Sequence, residues 1–147
     1  MDEGAGCEMP ATNAAPAEIA ALLGAARRIA VVGLSPRPDR PSHEVAAYLK
    51  AAGYVILPVN PNATEVLGER AWAAIEDVPG PVDVVDIFRR PEEVPPIVDA
   101  AIRIGARAVW MQTGIVHNAA ADKARAAGLT VVMNRCMMVE HRRLHGG

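Results

Sequence analysis

The stretch Ile29-Ala30-Val31-Val32-Gly33-Leu34-Ser35-Pro36-Arg37-Pro38-Asp39-Arg40-Pro41-Ser42 decides the fold. Its first four residues are apolar and mostly β-branched, the mark of a strand buried on both faces. Gly33 breaks the run. The residues up to Ser42 then carry three prolines, two arginines and one long apolar side chain, Leu34. Ser42 can cap a following helix. A strand, a tight loop and a helix N-terminus together form the place where an α/β sheet holds an anion. Backbone N–H groups at the helix start lack partners and the dipole there is positive. Arg37 and Arg40 add full charge, so the loop reads as a phosphate cradle. A strand-to-helix turn that binds nothing would start the same way, and the remainder of the chain has to decide.

Upstream, Pro16 suits a first helical position, and Ile19, Leu22, Leu23 and Ala26 follow at helical spacing. Downstream, a helix over 42–52 ends at Gly53, and a strand over 54–59 stops at Asn60-Pro61-Asn62. Residues 66–75 read as a short helix or irregular turn. A strand over 83–88 precedes a helix that opens at Pro95-Pro96 and ends at Gly105. Strands over 106–111 and 129–133 bracket a helix over 118–127, and a last helix spans 137–144. Strands alternating with helices imply a parallel sheet. The expected fold is α/β: a Rossmann-like doubly wound parallel sheet of five strands with helices on both faces. The expected strand order is 3-2-1-4-5, with a crevice outside the carboxyl ends of the first and fourth strands.

The 147 residues suit one domain, 16–147, after a small, polar and flexible N-terminal tail, 1–15. A net charge of −2 speaks against a general nucleic-acid or membrane-surface binder. No run reaches the ~18 apolar residues of a membrane span. Cys7 and Cys136 lie in unlike contexts and form no disulfide framework. With an acidic start that lacks signal-peptide features, this predicts a cytoplasmic protein.

Every strand is followed by polar or cationic residues: Gly33 to Arg37, Asn60-Pro61, Phe88-Arg89-Arg90-Pro91, Gln112-Thr113-Gly114, and Asn134-Arg135-Cys136. Arg37, Arg89, Arg90 and Arg135 are placed to ring one crevice, and arginine suits bidentate phosphate contacts. His43, in the first turn after the cradle, is a further phosphate candidate. A nicotinamide dinucleotide fits poorly. Only the first glycine of G-x-G-x-x-G is present, as Gly33, and Asn60 stands where an acid would hold the ribose.

Val32 to Arg40, Pro58-Val59-Asn60-Pro61, Glu65-Val66-Leu67-Gly68, Val84 to Pro91, Val109-Trp110-Met111-Gln112 and Asn134 to His141 together resemble the small stand-alone CoA-binding proteins. These are similar to the CoA-binding domain of the succinyl-CoA synthetase α subunit. The resemblance covers roughly residues 27–144. It implies coenzyme A or an acyl-CoA along the carboxyl edge, with phosphates on Gly33 to Arg37. It further implies Asn60-Pro61 beside the nucleotide, Phe88 to Pro91 against the adenine or pantetheine arm, and Gln112 to Gly114 along the path to the thiol. The phosphate turn is proline-rich where the synthetase pattern is glycine-rich. The synthetase's second domain, with its phosphorylated histidine, has no counterpart, so ligase activity is not implied.

Cys136 follows Arg135 near a helix start, which would lower a thiol pKa. It is a candidate nucleophile, or a partner for a mixed disulfide with CoA, against a structural role beside Met137 and Met138. His117, at the start of the 118–127 helix, is a candidate general base. His141 and His145 share one helix face, but two histidines do not make a metal site, and no metal is expected. Asp83 and Asp86 are three apart and point to opposite faces. The reading is a CoA- or acyl-CoA-binding protein without chemistry of its own, with a protein partner or a second copy left open. The alternatives are an acyl-CoA thioesterase or transferase using His117 or Cys136, and a nicotinamide-dinucleotide redox sensor.

Overall fold

The computed structural model describes residues 8–146. The strands in chain order are β1 (Arg28–Val32), β2 (Val55–Val59), β3 (Glu65–Val66), β4 (Glu69–Arg70), β5 (Val84–Ile87), β6 (Ala108–Met111) and β7 (Thr130–Val132). Five of them form one parallel sheet in the order β2-β1-β5-β6-β7, and β3 and β4 form a separate antiparallel hairpin. The helices are α1 (Pro16–Ala25), α2 (Pro41–Ala51), α3 (Val94–Arg103), α4 (Asn118–Ala126) and α5 (Met137–Leu144).

Alternation along the strands sorts the core into two layers. Ile29, Val31, Val84, Trp110 and Val132 pack beneath α1, α2 and α5. Ala30, Val32, Val85, Ile87, Val109 and Met111 pack beneath α3 and α4. Every residue of β5 and β6 is buried, as expected of strands covered on both faces.

The α/β class and the doubly wound five-stranded parallel sheet are as expected; the strand order is not. The third strand of the sheet, β5, pairs with β1, whereas the order 3-2-1-4-5 would put it outside β2. Pro58 supplies the physical reason. A proline cannot donate to a ladder, so it belongs on a sheet edge. Its carbonyl faces outward to accept from Trp72 N–H at 2.9 Å, so its missing N–H faces outward as well. Val55 of β2 is 45% exposed, which also marks an edge. The strand order therefore reverses at β1/β5, and the crevice opens there rather than between the first and fourth strands.

Two local expectations also change. Residues 65–70 form the β3–β4 hairpin, with Leu67 (φ 55°) and Gly68 (φ 75°) at the centre of a two-residue turn. Turns of that kind need positive φ at both central residues. Arg40, not Ser42, sits at the cap of α2, with Pro41 in the first turn. Within the expected tail, residues 12 and 13 make contacts with the domain. Asn13 exchanges hydrogen bonds with the backbone of Met133 (2.9 Å each way), and Thr12 O accepts from Arg125 at 2.9 Å. The first seven residues of that tail, including Cys7, lie outside the described residues. Among the described residues, no helix is long and apolar enough to cross a membrane.

Candidate functional site

Parallel register brings the loops together. Val32 pairs with both Val59 and Ile87, and Ile87 pairs with Met111, so four strands end level at one edge. Gly33 leaves β1 with φ 86°, and its N–H donates to Val59 O at 2.9 Å. Phe88 N–H donates to Val32 O at 2.9 Å. The two loops pass so close that a Cβ on Gly33 would lie 2.5 Å from Phe88 O. Only glycine meets both demands here.

The cradle loop is tied down from within. Ser42 is buried, and its hydroxyl accepts from Ser35 N–H at 3.0 Å. Ser35 Oγ accepts from Arg37 N–H at 3.1 Å, and Asn60 Nδ2 donates to Leu34 O at 3.0 Å. Ser42 thus pins the loop from inside the helix instead of capping it. Leu34 is fully buried in the core, and Pro36 is exposed on the loop.

Between this loop, the start of α2 and the β5 loop lies a cleft of about 610 Å³. Arg37, Arg40, Arg89 and Arg90 line it, together with Gln112, Thr113 and Cys136. The arginines are not all free. Arg37 pairs with Asp39 at 3.4 Å, and Arg90 with Glu93 at 3.0 Å and Glu92 at 3.8 Å. Arg89 also pairs with Glu93. Hydrogen bonds from Arg89 and Arg90 hold the Glu93 carboxyl below its usual range, and Glu93 raises Arg90 in turn. Arg40 has no ion pair among the described residues. Four cations therefore face three carboxylates, leaving a surplus of one positive charge.

Below the cleft lies a group that the sequence reading did not mark as functional. Asp86, in the middle of β5, is fully buried. Its Oδ1 accepts from Gln112 Nε2 at 2.6 Å, and its Oδ2 has no partner among the described residues. Gln112 Oε1 accepts from Met137 N–H at 3.3 Å, at the start of α5. Burial pushes the Asp86 carboxyl up from 3.8 to about 7, against the opposing pull of the Gln112 hydrogen bond. A lone acid within Val84-Val85-Asp86-Ile87 was the available signal, since an unpaired charge inside an apolar strand demands a reason. Pro41, Val45 and Ile115 add apolar wall that loop chemistry does not announce.

Other candidates sit elsewhere. Asn60 and Pro61 line a separate cavity of about 510 Å³, where the Arg70 guanidinium lies 3.9 Å over the Trp72 ring. His43 is half-buried on α2 and does not line the cleft, and Pro91 begins a short 3-10 turn. Gly114 N–H donates to Asn134 Oδ1 at 2.7 Å, with Asn134 itself at φ 59°. Arg135 points to solvent while its carbonyl accepts from Trp110 Nε1 at 2.8 Å. These last groups shape the loops. His117 caps α4, its Nδ1 accepting from Ala120 N–H at 3.1 Å, and it too lies off the cleft. His141 packs at the α2–α5 contact, with Nδ1 2.8 Å from Tyr48 OH.

A doubly wound α/β domain with its cleft at the β1/β5 switch point is the class that fold and site define. A family model described as a CoA binding domain matches residues 27–142, and the chain belongs to that family. It is 42% identical over 129 residues to the uncharacterized protein YneT of Bacillus subtilis (strain 168), covering 88% of this chain and 96% of that one. A hypothetical protein from Pyrococcus horikoshii OT3 superposes with a TM-score of 0.89 at 40% identity, covering 99% of this chain and 100% of the other. An ADP-forming acetate–CoA ligase of Archaeoglobus fulgidus is 31% identical over 91 residues. That match covers 60% of this chain and only 14% of the ligase. The resemblance to stand-alone CoA-binding proteins is borne out by the family match.

Proposed function

We propose that the chain binds coenzyme A or an acyl-CoA in the β1/β5 cleft and acts as a binding or sensing protein without chemistry of its own. The observation that carries this reading is the cleft itself. Arg37 and Arg40 from the loop after β1, Arg89 and Arg90 from the β5 loop, and Gln112 and Cys136 all line it. A polyphosphate held by the arginines leaves the thiol-bearing arm to run along the rest of the cleft. Arginine forks match phosphate geometry, and phosphates supply the negative charge that the surplus cation attracts. The helix N-terminus of α2, opening at Arg40-Pro41, adds the positive end of its dipole.

The absence of chemistry rests on Cys136 having no base beside it. Among the described residues, no histidine or carboxylate hydrogen-bonds to its thiol, and His117 is engaged as a cap. A thiol nucleophile needs such a partner or a depressed pKa. The compartment fitting this role is the cytoplasm.

Calorimetry with coenzyme A, dephospho-CoA and NAD tests the reading. Coenzyme A should bind about tenfold tighter than dephospho-CoA, one good charge-assisted contact being worth about that factor. NAD should bind weakest. Equal affinity for NAD, or no affinity for coenzyme A, overturns the proposal. Steady turnover of any acyl-CoA in a panel would overturn the non-catalytic part alone.

A further inference from the structure

The Asp86–Gln112–Met137 bridge is larger than a structural contact requires. Met137 N–H can only donate, so the Gln112 atom facing it must be the oxygen. With the oxygen so placed, the atom facing Asp86 Oδ1 is the nitrogen, and Oδ1 accepts from it. The Gln112 amide is therefore fixed in one of its two flips by the Met137 N–H and held there by Asp86. Each end has used half its capacity. One N–H of Nε2 and one lone pair of Oε1 have no partner among the described residues, and Gln112 lines the cleft.

Asp86 itself makes no other side-chain hydrogen bond among the described residues. Its strand neighbours are Val31 in β1 and Trp110 in β6, both buried. An apolar residue would fill this place without leaving Oδ2 unpaired. Burying a carboxyl with one unmade contact costs stability, so its retention needs a return elsewhere.

We infer that Asp86 is a positioning residue for ligand recognition: it holds Gln112 so that its free N–H and lone pair read the secondary amides of the ligand's arm. An arm with successive secondary amides offers a carbonyl from one and an N–H from the next, the complement of what Gln112 has left. A carboxylate, a phosphate or a bare alkyl chain offers only half of that set or none. The inference rests on the proposed binding of a CoA-type ligand and assigns the specificity for its pantetheine arm.

The test uses two ligands, coenzyme A and adenosine 3′,5′-bisphosphate, which lacks the arm. Asp86→Leu removes the acceptor and keeps the branched four-atom skeleton of the side chain. It should weaken coenzyme A about tenfold and leave the bisphosphate unchanged, as for one lost oriented hydrogen-bonding pair. Asp86→Asn keeps an acceptor oxygen and should recover most of the loss. Gln112→Met should reproduce the Asp86→Leu phenotype, and the double variant should be no worse than either single one. If Asp86→Leu leaves coenzyme A binding intact, or weakens both ligands alike, the inference is overturned while the reading of the cleft stands. If the wild-type chain binds neither ligand, the reading of the cleft fails and this inference with it. Should Asp86→Leu not fold, NMR of the wild-type Gln112 side-chain amide decides. Its resonances should move with coenzyme A and not with the bisphosphate, and resonances unmoved by coenzyme A overturn the inference.

Discussion

Asp83 and Asp86 stand three residues apart around the same strand, at opposite ends of the sheet, and they are treated oppositely. Asp83 precedes β5 at the amino edge. Its Oδ2 accepts from the N–H groups of both Arg27 (2.8 Å) and Arg28 (2.9 Å), and Arg107 lies 3.7 Å away. Burial works to raise its pKa, but these donors and cations outweigh it and hold the carboxyl below its usual range. Asp86, at the carboxyl edge, has one hydrogen bond and no cation among the described residues, and a raised pKa. The same strand thus closes one end of the sheet and leaves the other unfinished. The carboxylate with its acceptor sites filled is a clamp, and the half-satisfied one under the cleft is left to hold Gln112.

The contrast breaks first on pH. For Asp86 the folded pKa lies above the unfolded one, so its stabilising contribution is complete below about 4, falls as pH rises, and is gone above about 7. A shift from 3.8 to about 7 corresponds to about 4 kcal/mol. Urea unfolding of the wild type should therefore show stability falling between pH 4 and 7, and Asp86→Asn should remove that part of the slope. A variant that keeps the wild-type profile would mean the carboxyl is already paired. Asp83 has the reverse sign. Its contribution is present above about 4 and is lost as pH falls through its lowered pKa.

Gly33→Ala strikes the point where the open end is narrowest. The new Cβ would meet Phe88 O and Arg89 Cδ while the backbone stays at φ 86°. Strain and overpacking together should cost roughly 3 kcal/mol. Because the two clashing loops are the cleft's own walls, coenzyme A affinity should drop as well, by calorimetry. Asp83→Ala is the control at the closed end. It strips two N–H groups of their acceptor and should cost about 2 kcal/mol by denaturation, with coenzyme A affinity unchanged. Affinity loss in Asp83→Ala would show that the two ends are not independent.

The open end was partly legible because its evidence is local. An apolar run, a glycine and a proline–arginine loop lie within fourteen residues, and level strand ends follow from parallel pairing. The strand order was misread, although Pro58 held the one local signal against it, since the missing donor confines β2 to an edge. What could not be read is pairing across distance. Nothing in Pro91-Glu92-Glu93 announces a 3-10 turn that swings Glu93 back onto Arg89 and Arg90. Nor does Asn134 announce that it will bond Gly114 rather than a ligand. Strands of two residues such as β3 and β4 are too short for any periodicity to show.

Glu93 is where the open end is most adjustable. It satisfies Arg89 and Arg90 at once, so a phosphate arriving at the cleft must compete with it for both guanidinium groups. Its side chain is 28% exposed, and its partners are 40% and 76% exposed, so water screens the pairs and weakens their hold. Glu93→Gln keeps the shape and gives up the charge, which raises the cleft's surplus from one positive charge to two. Coenzyme A should then bind about threefold tighter at low salt, with the gain fading as ionic strength rises. The bisphosphate should gain by the same factor, because the change acts on phosphate and not on the arm. A gain for coenzyme A alone would place Glu93 with Gln112 as a reader of the arm. No gain for either would mean that Arg89 and Arg90 are needed as an ion-paired scaffold for the β5 loop, and that Arg37 and Arg40 carry the phosphates by themselves.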